Sequence, residues 1–154
     1  MKINFPIKVA VVDDEPDMPD LICAMLEKIP DIETIPFNDP MEAFEEIRKQ
    51  QIRILLTDMV MPVMTGTELI KKCLGLDWHV DCLMISGQCD RKLVADCFDI
   101  GARQVLLKPV SYGKLNSALN RILSRYKYWH QTLDEISKDY TDRTLERMDG
   151  DEDL

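Results

Sequence analysis

The stretch IRILLTDMVMP, residues 52–62, is a short apolar run that ends at the carboxylate of Asp58. An apolar run of this length, bounded by turn-forming residues, is typical of a strand buried on both faces of a parallel sheet. Asp58 would then lie at the carboxyl edge of the sheet, where open α/β sheets bind their ligands. Pro62 lacks an N–H and Gly66 tolerates unusual backbone angles, so residues 59–66 are predicted to form a shaped loop.

Three other apolar runs also end in polar groups. Residues 7–12 end at the acidic pair Asp13-Asp14, residues 82–85 end at Ser86, and residues 104–107 end at Lys108. Because the carboxyl ends of parallel strands share one edge of a sheet, these side chains are expected to converge on Asp58. A single Asp after a strand is more often a turn former or a helix cap. The convergence of acids, hydroxyl and ammonium favours a functional site instead.

Each predicted strand is followed by a segment in which apolar residues recur at helical spacing. A further strand is predicted at residues 32–37, and the helices are predicted to begin near Pro16, Asn38 or Asp39, Thr67, Asp90 and Ser111. Met41, Phe44 and Ile47 are expected to face inward on the second helix, and Leu69, Ile70 and Leu74 on the third. Five strand–helix repeats with short connections predict an α/β fold, a doubly wound five-stranded parallel sheet with an extended C-terminal helix.

Composition excludes several classes of protein. The 154 residues are 45% hydrophobic and 31% charged, which is ordinary for one globular domain. The net charge of −9 argues against direct binding of nucleic acid. No apolar run is long enough to span a membrane, and residues 1–7 lack a signal-peptide pattern. Five scattered cysteines without a C-x-x-C pair are typical of reduced thiols, so a cytoplasmic location is predicted.

The predicted edge of the sheet suits phosphoryl chemistry. Asp13, Asp14 and Asp58 form an all-oxygen cluster of the kind that binds a hard cation such as Mg²⁺. Without a cation, three neighbouring carboxylates would repel one another and raise one another's pKa. With a cation, Asp58 becomes an ionised nucleophile, while Lys108 supplies a second positive charge and Ser86 a hydroxyl donor. The sequence contains no G-x-x-x-x-G-K-[ST] or G-x-G-x-x-G nucleotide motif.

At roughly residues 6–126 the sequence resembles the receiver domain of two-component response regulators, the CheY-like family. The matching motifs are Asp13-Asp14, Asp58-x-x-Met61-Pro62-x-x-x-Gly66, Ser86 and Lys108-Pro109. The resemblance implies a flavodoxin-like fold with Asp58 as the phosphoacceptor. It implies that Mg²⁺ is held by Asp14, Asp58 and the backbone carbonyl of Val60, with Asp13 acting mainly through a metal-bound water. Ser86 would swing toward the phosphoryl group, and Lys108 would pair with it.

The resemblance further implies a signalling module rather than an enzyme. A histidine kinase or phosphotransfer protein would supply the phosphoryl group, and an unknown downstream protein would respond to it. Two positions depart from the family pattern. Val105 occupies the place where receivers commonly carry Tyr or Phe, and Val60 is apolar at a position beside the phosphoacceptor. We expect the apolar Val60 side chain to hinder the water that would hydrolyse the phosphate.

Two other functions compete with this interpretation. A metal-dependent phosphatase of the haloacid type would use Asp58 as its nucleophile, but it needs a second Asp two residues later. Val60 occupies that position, and the chain has no room for a cap insertion. A scaffold with a receiver fold and no phosphorylation is the other alternative, and the complete set of site residues speaks against it.

The composition changes after residue 126. Residues 1–126 are predicted to form the receiver domain, and residues 127–154 a helical extension to about residue 145 followed by a disordered acidic tail. Apolar residues continue at alternating spacings of three and four through this extension, a seam made of Tyr126, Trp129, Leu133, Ile136 and Tyr140. Two arrangements remain open: a homodimer through the C-terminal helix, or a helix folded back onto its own receiver.

Overall fold

The computed structural model describes residues 2–88 and 90–150 of the chain. They form two compact units, one of Phe5–Ala118 and one of the N-terminal residues up to Asn4 together with Leu119 onward. The elements, in chain order, are β1 (Ile7–Val12), α1 (Met18–Leu26), β2 (Ile32–Phe37), α2 (Pro40–Gln50), β3 (Ile54–Asp58), α3 (Gly66–Leu74), β4 (Asp81–Ser86), α4 (Arg91–Asp99), β5 (Gln104–Leu107) and α5 (Tyr112–Gly150).

The five strands form one parallel sheet in the order β2-β1-β3-β4-β5. This order confirms the predicted doubly wound, flavodoxin-like α/β fold. Val12 at the end of β1 pairs with Thr57 on β3, and Asp58 pairs with Ile85 on β4. The residues that follow β1, β3 and β4 therefore emerge side by side at one edge of the sheet.

Residues of the three central strands, β1, β3 and β4, are buried on both faces of the sheet, as the unbroken apolar runs predict, whereas the edge strands β2 and β5 are only partly buried. Ala10, Leu55 and Met84 belong to a core cluster that also contains buried residues of α2, α3 and α4. Val11 and Leu56, which point to the opposite face because successive side chains alternate, are buried as well. The core thus fixes the strands rigidly beneath the edge that carries the polar residues.

Two side chains expected in this core are exposed. Met41 on α2 and Leu74 on α3 both lie at the surface. On α2 the buried stripe runs through Pro40, Ala43 and Ile47, and Met41 lies about 100–160° around the helix from these three residues. On α3, Cys73 takes the inward position that was expected for Leu74. Ile47, Leu69 and Ile70 are buried as expected, so only the edge of each inward face differs from the prediction.

The second unit is described by itself. Its buried side chains are Ile3, Leu119, Ile122, Leu123 and Tyr126. Exposure then rises along α5, to 37% for Leu133, 61% for Ile136 and 75% for Tyr140. The helix is described to Gly150, and the last four residues of the predicted acidic tail lie outside the described residues. Among the described residues, no helix combines the length and apolar character that crossing a bilayer requires.

Candidate functional site

Asp13 and Asp58 lie next to each other because β1 and β3 are neighbouring parallel strands. Val12 pairs with Thr57, so the following residue of each strand reaches the edge at the same level. The backbone N–H of Asp13 donates to the carbonyl of Phe37 at 3.1 Å, which extends the ladder with β2 by one residue. The position of both carboxylates is thus set by strand pairing in the core.

Three carboxylates meet at this edge. One oxygen from each of Asp13, Asp14 and Asp58 lies within 4.8 Å of the other two. Asp13 is buried, Asp14 is exposed, and the side chain of Asp58 is 12% exposed. Asp13 Oδ1 accepts from the backbone N–H of Glu15 at 2.9 Å, and Asp58 Oδ1 accepts from Met59 N–H at 2.9 Å. The cluster is open to solvent on the side of Asp14 and closed by backbone donors on the other.

Lys108 is the cation that faces these acids. Its Nζ lies 3.2 Å from Asp58 Oδ1 and 3.4 Å from Asp13 Oδ2. The backbone N–H of Lys108 donates to the carbonyl of Ser86 at 2.8 Å, which ties the end of β5 to the end of β4. A cis peptide bond joins Lys108 to Pro109. The predicted convergence of Asp13, Asp14, Asp58 and Lys108 is therefore present.

The electrostatics of the cluster show that it lacks positive charge. Burial raises the pKa of Asp58 above its ordinary value, and the charge of Asp13 raises it further, against the opposing effects of Lys108 and the Met59 N–H. Burial acts to lower the pKa of Lys108, but the neighbouring Asp13 and Asp58 outweigh it and the pKa is raised. One ammonium does not balance the acids, so a further cation would be stabilised here.

Ser86 is buried at the end of β4. Its Oγ donates to the carbonyl of Gln88 at 3.2 Å and accepts from the Gln88 N–H at 3.1 Å. Met59 Sδ lies 4.0 Å from the same Oγ. In this conformation the hydroxyl is satisfied by backbone, and contact with a group on Asp58 requires a change of its rotamer.

The loop after Asp58 is held by Gly66 and Thr65. Gly66 N–H donates to the carbonyl of Met59 at 2.9 Å, and a Cβ at Gly66 would clash with the carbonyl oxygen of Asp58. The sequence predicts unusual backbone angles at Gly66, but its φ is not positive. The position requires glycine because a side chain would have no space there. The Thr65 hydroxyl accepts from the backbone N–H of Glu68 in a capping box that starts α3.

Two valines lie in the loop that follows Asp58. The Val60 side chain is exposed, and its role as a carbonyl ligand stays a prediction. Val63 has a φ of 71° and a side chain that is 91% exposed. A β-branched residue in this region is strained, so the loop holds Val63 against its own preference. Sequence patterns gave no signal for this strain, because neither neighbour of Val63 is a Gly or Asn.

Val105, at the expected switch position, is half-buried against the core cluster.

Asn38 belongs to the site, although the sequence predicts only that the second helix begins near Asn38 or Asp39. Asp39 alone caps α2, and its Oδ1 accepts from Met41 N–H at 2.9 Å. The Asn38 side-chain amide instead donates to the carbonyls of Asp13 at 3.1 Å, Pro16 at 3.2 Å and Glu15 at 3.3 Å. Asn38 therefore holds the loop that carries two of the three acids. Asn38 follows β2 directly, at the same edge of the sheet as the acids, and this position in the sequence could have indicated a role in the site.

Comparison with known families identifies the domain that carries this site. Residues 9–120 match the model of the response regulator receiver domain family. The chain belongs to this family. The resemblance inferred from the motifs is thereby confirmed, and the protein is a receiver domain of two-component signalling.

Sequence identity to individual relatives is low. The receiver is 25% identical to the chemotaxis protein CheY-3 of Vibrio cholerae over 125 residues, 80% of this chain and 96% of that one. It is 30% identical over 138 residues to the phosphoglycerate transport system transcriptional regulatory protein PgtA of Salmonella typhimurium, 85% of this chain and 33% of PgtA. The chain thus spans about a third of PgtA, and it spans 23% of the transcriptional regulatory protein YesN of Bacillus subtilis.

Solved structures share the fold. A response regulator receiver domain from Clostridium thermocellum has a TM-score of 0.73 at 25% identity, covering 79% of this chain and 98% of that one. The CheY of Borrelia burgdorferi, solved with CheX, BeF3 and Mg²⁺, has a TM-score of 0.69 at 23% identity, covering 76% and 89%. Receiver domains bind Mg²⁺ at an acidic pocket, and this receiver has the corresponding cluster of aspartates.

Proposed function

We propose that this receiver is a phosphorylation-dependent switch in which Asp58 accepts a phosphoryl group from a histidine kinase or a phosphotransfer protein. Phosphorylation then changes the affinity for a downstream protein or for a second copy of the chain. The observation that supports this most is the position of Asp58, a partly exposed carboxylate 3.2 Å from Lys108 Nζ and beside two further acids. Nucleophile and countercharge are in place before any donor arrives.

The residues present fit a bound Mg²⁺. Three carboxylate oxygens within 4.8 Å of one another are a donor set for a hard cation, and the charge of Asp13 adds to burial in raising the pKa of Asp58. Asp14, Asp58 and the backbone carbonyl of Val60 would hold the ion, with Asp13 acting mainly through one of its waters. The ion, when bound, would neutralise the charge of an incoming phosphoryl group.

Transfer from a phosphohistidine requires only a few groups of the chain itself. A carboxylate oxygen of Asp58 attacks the phosphorus, and the P–N bond breaks as the P–O bond forms. The histidine ring of the donor, protonated on its other nitrogen, keeps the electron pair and leaves as neutral imidazole. Lys108 keeps Asp58 ionised and can then turn from the carboxylate to a phosphoryl oxygen. Ser86 gives up its hydrogen bonds to Gln88 and donates to another phosphoryl oxygen. These two movements would carry the signal away from Asp58.

The proposal is tested by intact mass measurement after incubation with acetyl phosphate and Mg²⁺. We expect one phosphoryl group to be added to the wild type in the presence of Mg²⁺. No addition is expected when EDTA replaces Mg²⁺, and none to Asp58→Asn. Asp39→Asn is the matched control, because Asp39 caps α2 and Asn caps equally well. Full phosphorylation of Asp58→Asn would place the chemistry on another residue.

We also propose that the C-terminal helix joins two copies of the chain. Tyr126 is fully buried within the single chain, and the Trp129 ring lies 5.7 Å from that of Tyr126 and 5.2 Å from the Arg125 guanidinium. The surface open to a partner therefore begins beyond them and consists of Leu133, Ile136 and Tyr140. Their spacing places them on one face of α5, where a second helix would remove apolar surface from water.

A further inference from the structure

A pocket of about 360 Å³ lies at the side of the exposed apolar face of α5. Its walls are the N-terminal residues 2–4 and the stretch of α5 that contains His130, Leu133, Asp134 and Ser137. All of these residues belong to the second unit. We name this space the N-terminal pocket. Leu133 belongs both to the pocket and to the apolar face, so a group that packs on this face reaches the pocket.

The N-terminal pocket has apolar and polar walls. Ile3 and Leu133 supply apolar surface, and Asn4 and Ser137 supply an amide and a hydroxyl. A phenol ring suits both kinds of wall, because tyrosine has an apolar body and a hydrogen-bonding hydroxyl at its tip. Tyr140 is the residue of the apolar face with this chemistry, and it is exposed in the single chain. A tyrosine from a second copy therefore fits the pocket by shape and by polarity.

The spacing along α5 decides which orientation of two helices brings Tyr140 to the pocket. Leu133 and Tyr140 are separated by about 10 Å along the helix. In an antiparallel pair centred on Ile136, position 140 of one copy lies level with position 132 of the other. Each Tyr140 then packs beside Leu133 of the other copy and can enter its N-terminal pocket. In a parallel pair in register, each Tyr140 lies level with its own counterpart, about 10 Å from both pockets.

Two arginines also favour the antiparallel orientation. The alternating spacing of the seam continues from Tyr140 to Arg143 and Arg147, and both are exposed. In a parallel pair each arginine faces its own counterpart, and like charges repel. In the antiparallel pair, Arg143 lies level with Trp129 of the other copy. This chain already uses such a contact, because the Arg125 guanidinium lies 5.2 Å from the Trp129 ring.

The charge of α5 changes sign along its length. Residues 112–131 contain four bases and no acid, whereas residues 132–150 contain six acids and three bases. A parallel pair would place the two acidic halves side by side. An antiparallel pair instead places each acidic half against the end of a basic half. Exposed charges contribute little individually and are screened by salt, so this effect adds to the preference set by the seam.

We propose that two copies of the chain associate through antiparallel α5 helices, with Tyr140 of each copy in the N-terminal pocket of the other. This statement rests on the association of two copies proposed above, and it adds the direction of the helices and residues 2–4 to the interface. The contact is made twice, because a two-fold axis through Ile136 relates Tyr140 and the pocket of one copy to those of the other.

Distances between spin labels measure the orientation. Nitroxides are attached to Leu145→Cys and, in a second sample, to Lys138→Cys, both at exposed positions of α5. Cys89, which lies outside the described residues, is replaced by Ser, and the other four cysteines are buried. In full-length dimers, the antiparallel pair separates two labels at position 145 by about 27 Å along the axis, and two at position 138 by about 6 Å. A parallel pair gives no axial separation at either position.

Photo-cross-linking tests the pocket itself. With p-benzoylphenylalanine in place of Tyr140, in a mixture of ¹⁵N-labelled and unlabelled chains, we expect cross-links to residues 2–4 or 130–137 of the other copy. The same probe in place of Tyr128, which is exposed outside the apolar face, should form none between copies. Tyr140→Ala should weaken association about tenfold, whereas Tyr128→Ala should leave it unchanged.

Three results would count against the proposal in different ways. Equal label distances at positions 138 and 145, or cross-links from position 140 to residues 138–144 of the other copy, would show a parallel pair and overturn it. An antiparallel pair without cross-links to residues 2–4 or 130–137 would show that Tyr140 does not occupy the pocket. The absence of any dipolar coupling at high concentration would contradict the association of two copies itself.

Discussion

The ammonium of Lys108 lies 3.2 Å from Oδ1 of Asp58 and 3.4 Å from Oδ2 of Asp13, and so bridges two strands of the sheet. Even with this cation, the pKa of Asp58 is raised, first by burial and then by the charge of Asp13. The folded protein therefore carries an uncompensated negative charge where the proposed reaction takes place. This imbalance has a measurable effect on stability.

Asp58→Asn should stabilise the protein in the absence of divalent cations. A carboxyl whose pKa is raised in the folded state favours unfolding above that pKa, because the unfolded chain ionises more easily. We expect Asp58→Asn to raise Tm at pH 7 by about 2–4 °C, the change that about 1 kcal/mol produces in a chain of this size. The gain should vanish as pH falls below about 4, where both states are protonated in the wild type.

The control for this prediction is Asp39→Asn, which should leave Tm unchanged at every pH. Added Mg²⁺ should raise the Tm of the wild type more than that of Asp58→Asn, because a ligand that binds only the folded state stabilises it. A variant less stable than the wild type at pH 7 without Mg²⁺ would show that the Lys108 ion pair outweighs burial and repulsion.

Asn38→Ala should weaken Mg²⁺ binding without touching a carboxylate. Asn38 donates to three carbonyls of the loop that carries Asp13 and Asp14, so its loss frees these acids to move. We expect the affinity measured by calorimetry to fall about tenfold, as for residues that orient metal ligands. Asp39→Ala, which removes the α2 cap one residue later, should lower Tm but keep the Mg²⁺ affinity. Equal losses of affinity in the two variants would assign Asn38 a purely structural role.

Gly66→Ala should destabilise the fold through the end of β3. The added Cβ would press on the carbonyl oxygen of Asp58 and on Met84 Sδ, 2.9 Å away. We expect a loss of about 1–3 kcal/mol in urea unfolding, together with slower phosphorylation. At Gly75, the end of α3, a Cβ would lie 3.4 Å from the nearest atom, so Gly75→Ala should change stability by less than about 0.5 kcal/mol. If Gly66→Ala were as stable as the wild type, the loop after Asp58 would be able to move and accommodate the added Cβ without cost.

Ile136→Lys should abolish self-association if α5 joins two copies. Ile136 is the middle residue of the exposed apolar face between Leu133 and Tyr140. Tyr128→Lys is the matched control, because Tyr128 is similarly exposed on the same helix but outside this face. Light scattering should give a dimer for the wild type and for Tyr128→Lys, and a monomer for Ile136→Lys. A wild-type chain that stays monomeric at high concentration would end the dimer proposal.

The sequence predicted most of what depends on periodicity. The bounds of β1, β2 and β5 agree with the predicted segments, and the strand ends bring Asp13, Asp14, Asp58 and Lys108 together as expected. These features follow from apolar runs and from the geometry of parallel sheets, which sequence records directly. The chemistry of the site could therefore be inferred before its distances were known.

Features that depend on short-range packing could not be predicted in this way. Whether Asn38 or Asp39 caps α2 depends on which side chain reaches the carbonyls after β1. The need for glycine at position 66 arises from the approach of the Asp58 carbonyl, and the strained φ of Val63 from the loop as a whole. The exposure of Met41 shows that a large apolar side chain does not define the inward face of a helix.

The central claim is that Asp58 is the phosphoacceptor, and borohydride reduction after phosphorylation tests it most directly. Borohydride converts an aspartyl phosphate to homoserine, which marks the modified residue permanently for peptide mass spectrometry. After treatment with acetyl phosphate and Mg²⁺, we predict homoserine at position 58 and unchanged aspartate at positions 13 and 14. Homoserine at another position, or an unmodified Asp58 in a sample whose intact mass shows a phosphoryl group, would contradict the account.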